Sequence, residues 1–182
     1  MTHEGVRNAT KKALRAAKEA GAVISFDPNL REPLWNSLDE AKEQVLYGLG
    51  QCDILKISDN EIQWLTGEED FTKGVHWILE RYHIPLILVS MGREGSRAYY
   101  KDLIVEVKPF IQKNTIETTG AGDTFCGAVL SRILELGTDA LTEKDIREML
   151  LFANAAASIV VTRKGALCSM PEPEEIRAAT SL

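Results

Sequence analysis

Two apolar runs constrain the fold of this chain more than any other feature. AVISF at Ala22 to Phe26 and PLILVS at Pro85 to Ser90 carry almost no polar alternation, so neither suits a sheet with one face in water. Strands of this kind belong in a parallel sheet with helices on both faces. The segments around them supply the helices. Thr10 to Ala20 has alanine and leucine at helical spacing and ends at Gly21, and Ser37 to Leu49, Asp59 to Leu65 and Thr72 to Tyr82 follow the same period. Asp53 to Ile57 reads as a further strand. Ala98 to Tyr100 and Leu103 to Val107 read as two antiparallel strands around a turn at Lys101-Asp102, and Ala121 to Leu136 and Asp145 to Thr162 as two long helices. Strands alternating with helices predict an α/β chain with a mostly parallel sheet, organised as a single domain over residues 1–182. The first apolar strand runs into Asp27-Pro28-Asn29-Leu30-Arg31, a polar string of the kind found at the carboxyl edge of such a sheet.

Charge and composition exclude several classes of function. Acidic residues outnumber basic ones by 27 to 21, giving a net charge of -6 and no basic footprint for nucleic acid. The longest nearly unbroken apolar stretch, Ala155 to Val161, is far short of the roughly 18 residues of a membrane span. The chain opens without a charged-then-apolar leader, which makes the cytosol the expected compartment. Cys52, Cys126 and Cys168 show no CxxC spacing, and His3, His76 and His83 form no cluster, so a zinc site or disulfide framework is not expected. A metal held by carboxylates and phosphates stays open.

The segment richest in chemistry is Thr118-Thr119-Gly120-Ala121-Gly122-Asp123-Thr124-Phe125. A turn of small residues that opens a helix leaves backbone N–H groups facing outward, and the helix dipole adds attraction for an anion. An aspartate in that first turn can take the proton of a hydroxyl that attacks a phosphoryl group. The alternative, in which Asp123 merely caps the helix, stays open on spacing alone. Two other phosphate motifs fail. A dinucleotide fingerprint would need glycine where Phe125 stands, and no GxxxxGK[ST] string occurs.

The string TTGAGDTFCGAVL resembles the C-terminal signature of the ribokinase (PfkB) family of carbohydrate kinases. Four further segments fall in that family's order. DPNLREPLW at Asp27 to Trp35 resembles its fructokinase and 2-keto-3-deoxygluconate kinase branch, and KISDNEIQWLTG at Lys56 to Gly67 resembles its NxxE segment. VSMGREGS at Val89 to Ser96 and ANAAASIVVTRKGA at Asn154 to Ala166 resemble its nucleotide-binding loop and late helix. The resemblance runs from about Thr2 to Pro171. It implies a three-layer ribokinase-like α/β fold and transfer of the ATP γ-phosphoryl group to a sugar hydroxyl, with fructose the leading acceptor and 2-keto-3-deoxygluconate the second. The partners implied are a small sugar and ATP.

Carried over residue by residue, the resemblance makes Asp123 the catalytic base and the amides of Gly120, Ala121 and Gly122 the anion hole. Ser58, Ser90, Gly92, Gly95, Gly122 and Asn154 would contact ATP, with Asn154 beside the adenine, and Arg31 would contact the sugar or the phosphates. Glu61 would hold Mg²⁺ through water. Glu117, Thr119 and Ser169 would lie at a monovalent-cation site, which makes potassium a further candidate ion. Two positions depart from the pattern: Ser58 replaces the asparagine of NxxE, and Glu117 replaces the aspartate usually found before TTGAGD. The family's long N-terminal portion, with the first strands, the β-lid and a GGxxxN-type segment, has no counterpart here. The expectation is therefore a truncated frame or an excised fragment. Its open sheet edge would favour a homo-oligomer, and the second hypothesis for it is a nucleotide-binding remnant that transfers nothing.

Overall fold

The computed structural model describes residues 1–180. It contains five strands in the order β1-β2-β3-β4-β5 and, among the described residues, seven α-helices. The chain forms two compact units, Met1–Leu88 and Val89–Leu182, whose boundary lies inside the third strand.

In the first unit, α1 (Glu4–Glu19) leads to β1 (Ser25–Phe26), then α2 (Leu38–Leu49), β2 (Ile54–Ser58), α3 (Asp59–Thr66), α4 (Phe71–Arg81) and β3 (Leu86–Ser90). The apolar reading of β3 holds and β2 forms the expected strand: Ile54, Leu55, Ile57 and Leu86 to Val89 are all buried. They pack with Val45 and Leu49 of α2, Ile62 and Leu65 of α3, and Val75 and Ile78 of α4 as the core.

β1 departs from its reading. Only Ser25 and Phe26 pair with β2, in parallel register with Ile54 and Leu55. The run stops short because the Ile24 N–H donates to the Asp53 carboxylate at 2.7 Å in place of a ladder carbonyl. β1 is also an edge strand, and Val23 just ahead of it is 55% exposed rather than buried. Helix α1 starts six residues before the expected Thr10, for a reason outside local propensity. Arg7 is tied to the Glu40 carboxylate and to the Met1 carbonyl, which fixes the first two turns.

In the second unit, β4 (Ser96–Tyr100) and β5 (Leu103–Val107) form the expected antiparallel hairpin, with Lys101 at positive φ in the turn. Helices α5 (Ala121–Leu136), α6 (Glu143–Val160) and α7 (Pro173–Thr180) follow. α6 packs against α5, β4, β5 and α7, and its alanines at 153, 155 and 156 are wholly buried. It begins two residues before the expected Asp145 because Thr142 and Asp145 form a reciprocal capping box. Among the described residues no helix is long and apolar enough to cross a membrane.

Candidate functional site

The candidate side chains of the first unit gather at the carboxyl ends of β1 and β2. The strand ends place Asp27 beside Lys56, and their charged groups pair at 3.0 Å with side chains only 16% and 7% exposed. Asp27 also accepts from the Asn29 N–H at 3.2 Å, which closes the chain into a tight turn with Asn29 at φ 44. The next peptide is held from the other side, where the Leu30 N–H donates to Glu61 Oε1 at 2.8 Å.

Glu61 is already well occupied. Its Oε2 accepts from the Ser58 N–H at 2.9 Å and from Ser58 Oγ at 2.8 Å, while Ser58 Oγ accepts from the Glu61 N–H. Ser58, expected at ATP, is thus the N-cap of α3 in a complete capping box. Arg31 is exposed and rests on its own loop, donating to the Leu30 carbonyl at 3.0 Å. Arg31, Lys56, Ser58, Glu61 and Trp64 line an open pocket of about 350 Å³. Glu32 lines it too, so two cations and two carboxylates surround one small cavity, a place for a polar group that both accepts and donates.

In the second unit, the Thr118–Asp123 turn opens α5. Gly120 is its N-cap in the left-handed conformation (φ 79), which a side chain would disfavour. The Ala121 N–H donates to the Thr118 carbonyl at 3.2 Å, so of the three expected anion-hole amides this one is committed to the turn. Asp123 stands exposed in the first turn of α5. The segment before it is stitched to the loop after α6, because the N–H groups of Ile116 and Glu117 donate to the Val161 carbonyl.

Glu117 and Ser169 converge on one residue of that loop, Gly165. Glu117 Oε1 accepts from the Gly165 N–H at 2.6 Å, and Ser169 Oγ donates to the Gly165 carbonyl at 2.8 Å and the Ala166 carbonyl at 2.7 Å. Thr119, two residues beyond Glu117, is exposed.

Around the end of β5, Ser90 is half-buried, and Gly92 and Gly95 lie in the turn that follows it. Asn154 is buried, and its amide donates to the Val107 and Lys108 carbonyls at 3.3 and 3.2 Å. The group expected beside the adenine therefore anchors the chain leaving β5. Arg93, Glu94, Glu106, Lys108, Pro109 and Ile111 line a second open pocket of about 420 Å³ there.

Sequence reasoning missed the Asp27–Lys56 pair and the Glu61–Leu30 contact. A lysine inside the otherwise apolar ILKIS strand was the available signal for the first. The second links residues 31 positions apart and left no local trace.

Three comparisons bear on this arrangement. The family described as pfkB family carbohydrate kinase matches residues 2–173. A protein named probable fructokinase-2 from Arabidopsis thaliana is 42% identical over 168 residues, covering 92% of this chain and 51% of its own length. Fructokinase-1 of Zea mays is 42% identical over 173 residues, covering 95% and 53%. This chain thus spans about half the length of the curated relatives it matches. Among solved structures, a double-mutant fructokinase from Vibrio cholerae O395, in its fructose-, ADP- and potassium-bound form, superposes with a TM-score of 0.89 at 31% identity, over 98% of this chain and 57% of that one.

Proposed function

We propose that this chain, which belongs to the pfkB family of carbohydrate kinases, takes part in ATP-dependent phosphorylation of a sugar hydroxyl, with fructose as the acceptor. The observation that carries the reading is the Thr118–Asp123 turn. It joins a left-handed glycine, a helix start and an exposed carboxylate within six residues. Fructokinases at 42% identity support the choice of acceptor, and 2-keto-3-deoxygluconate is the next sugar to test.

In this reading Asp123 takes the proton of the acceptor hydroxyl as that oxygen forms its bond to the γ-phosphorus. The bond from the γ-phosphorus to the bridging oxygen breaks, and ADP leaves with the electron pair. The amides of Gly120 and Gly122 stabilise charge on the moving group, aided by the dipole of α5. Arg31 and Lys56 supply positive charge for the sugar or phosphates. Gly92, Gly95 and the Arg93–Ile111 pocket receive the nucleotide, and Asn154 keeps the wall of that pocket in place.

Magnesium, when bound, would neutralise charge across the phosphates. Glu61 is the residue here that fits it. A carboxylate offers about four acceptor positions, and the hydrogen bonds from the Leu30 N–H, the Ser58 N–H and Ser58 Oγ leave room for a metal-bound water. Among the described residues no group of three or more His, Cys, Asp or Glu could hold a metal, so phosphate oxygens would complete its coordination. For potassium, Glu117, Thr119 and Ser169 are the proposed neighbours, and the convergence of Glu117 and Ser169 on Gly165 supports that choice. Self-association is proposed through the outer edge of β1, which has β2 on one side only.

A second reading, a chain that binds ATP and transfers nothing, is favoured by Arg31, which rests on the carbonyls of its own loop. ADP release measured across fructose, 2-keto-3-deoxygluconate and ribose, beside calorimetric ATP binding, separates the two. Fructose-dependent ADP release is the expected result. ATP binding with no sugar-dependent release would leave only the second reading.

A further inference from the structure

One peptide plane in the first unit lies between two functional side chains. The N–H of the Asn29–Leu30 peptide donates to Glu61 Oε1 at 2.8 Å, and the carbonyl of the same peptide accepts from Arg31 Nη1 at 3.4 Å. In a trans peptide those two groups point in opposite directions. A carboxylate that fixes one therefore fixes the other, and with it the surface on which the guanidinium rests. Arg31 Nη1 also donates to the following carbonyl, that of Leu30, at 3.0 Å, so its place depends on the path of these two peptides.

Both ends of the loop are restrained. Glu61 cannot turn away without breaking the α3 capping box, since its Oε2 accepts from the Ser58 N–H and from Ser58 Oγ. On the other side, Asp27 accepts from the Asn29 N–H and pairs with buried Lys56. Between these anchors Asn29 sits at φ 44, a conformation that non-glycine residues adopt rarely and keep when their surroundings hold them there. Without the Glu61 contact, the peptide after Asn29 is free to flip. Its carbonyl would then turn away from Arg31.

We infer that Glu61 is a positioning residue for Arg31: its carboxylate grips the Leu30 amide and so sets where the guanidinium stands at the rim of the Arg31–Lys56 pocket. The inference deepens the proposed function, because it rests on Arg31 facing the sugar or phosphates. It also gives Glu61 two separable duties. Holding a cation needs its charge, whereas gripping Leu30 needs only an acceptor. Glutamine keeps an acceptor for the Leu30 N–H and can donate its amide to Ser58 Oγ, losing only the bond that Glu61 Oε2 accepts from the Ser58 N–H; alanine keeps none of them.

The test needs no turnover. Hydrogen exchange of the Leu30 amide is followed by NMR on the whole 182-residue chain in magnesium-free buffer, beside the rate at which phenylglyoxal modifies Arg31, read by peptide mass spectrometry. In Glu61→Ala, Leu30 exchange should quicken by about 10-fold or more, the scale of a lost charge-assisted hydrogen bond, and the Arg31 modification rate should change with it. In Glu61→Gln both rates should stay within about threefold of the parent, as expected for a neutral acceptor in the same place. Leu30 exchange and Arg31 modification unchanged in Glu61→Ala would overturn the inference. Should Glu61→Ala also unprotect the core amides of Ile57 and Ile62, Glu61→Asp replaces it. Aspartate keeps the charge and a cap acceptor but is one methylene too short to reach Leu30. Rapid Leu30 exchange with Ile57 still protected then supports the grip, and unchanged Leu30 exchange refutes it. A chain with no sugar kinase activity but Glu61-dependent Leu30 protection would sink the functional reading and leave the grip standing.

Discussion

A single methyl group at Gly95 should do unusual damage. The residue has φ 105 and ψ -134, a region that L residues scarcely enter. A Cβ there would lie 2.1 Å from the Val107 carbonyl oxygen and 3.1 Å from both the Lys108 carbonyl carbon and the Pro109 nitrogen. These are backbone atoms, and Asn154 of α6 pins the Val107 and Lys108 carbonyls, so they cannot swing aside as a side-chain tip would. The backbone conformation costs about 1–3 kcal/mol and the forced overpacking about another 1–3 kcal/mol. Gly95→Ala should thus lose about 2–6 kcal/mol, a large share of the roughly 5–15 kcal/mol that holds a domain folded. At a urea slope of about 1–3 kcal/mol per molar, the midpoint falls by about 0.7 M or more. Far-UV circular dichroism in urea, with no nucleotide present, reads it. Gly92→Ala is the control, because Gly92 has φ 53 but nothing within 4 Å of its Cβ position, and it should lose only about 1–2 kcal/mol. A Gly95→Ala midpoint at or above that of Gly92→Ala would refute the steric argument and return Gly95 to a role in nucleotide contact alone.

Other perturbations follow from the same geometry. Lys56→Met leaves the largely buried Asp27 carboxylate without its ammonium and should cost about 3–5 kcal/mol in thermal or urea unfolding; adding Asp27→Asn should recover much of it, and strict additivity of the two losses would show that the pair is not coupled. Burial pushes the Cys52 thiol up to about 12, so iodoacetamide at mildly alkaline pH should label exposed Cys168 and spare Cys52. The same shift has a sign for stability. The unfolded thiol ionises near its ordinary value of 9.0 while the folded one stays protonated, so the contribution is intact below that value and is lost as pH rises toward the folded one. Cys52→Ala should flatten that alkaline limb of a pH–stability profile, and an unchanged limb would contradict the assignment.

Where sequence pattern and burial agree, the fold was readable. LILVS became a strand buried at all but its last residue, and the hairpin turned at Lys101-Asp102 as expected. Pattern failed where the deciding interaction was long-range. The apolar run before Phe26 ladders for only two residues because the Asp53 side chain, 29 positions away, takes the Ile24 N–H. α1 gains its first turns from Arg7 meeting Glu40. At the site, motif reading located the Thr118–Asp123 turn and the DPNLR loop, since both are contiguous and rich in residues with special backbone needs. It could not foresee how the side chains are used. Glu61, Ser58 and Asn154 are all engaged in holding backbone, because a motif records residue type and spacing but not which atom each hydrogen bond takes.

The measurement that bears most directly on the central claim is the pair of numbers obtained for Asp123→Asn: kcat for fructose-dependent ADP release and Kd for ATP. Asparagine keeps the shape but cannot take the hydroxyl proton. The expected result is a kcat lower by about 10² or more with ATP affinity within about threefold of the parent. Near-parental kcat in Asp123→Asn would show that the carboxylate is only a helix cap, and would contradict the account.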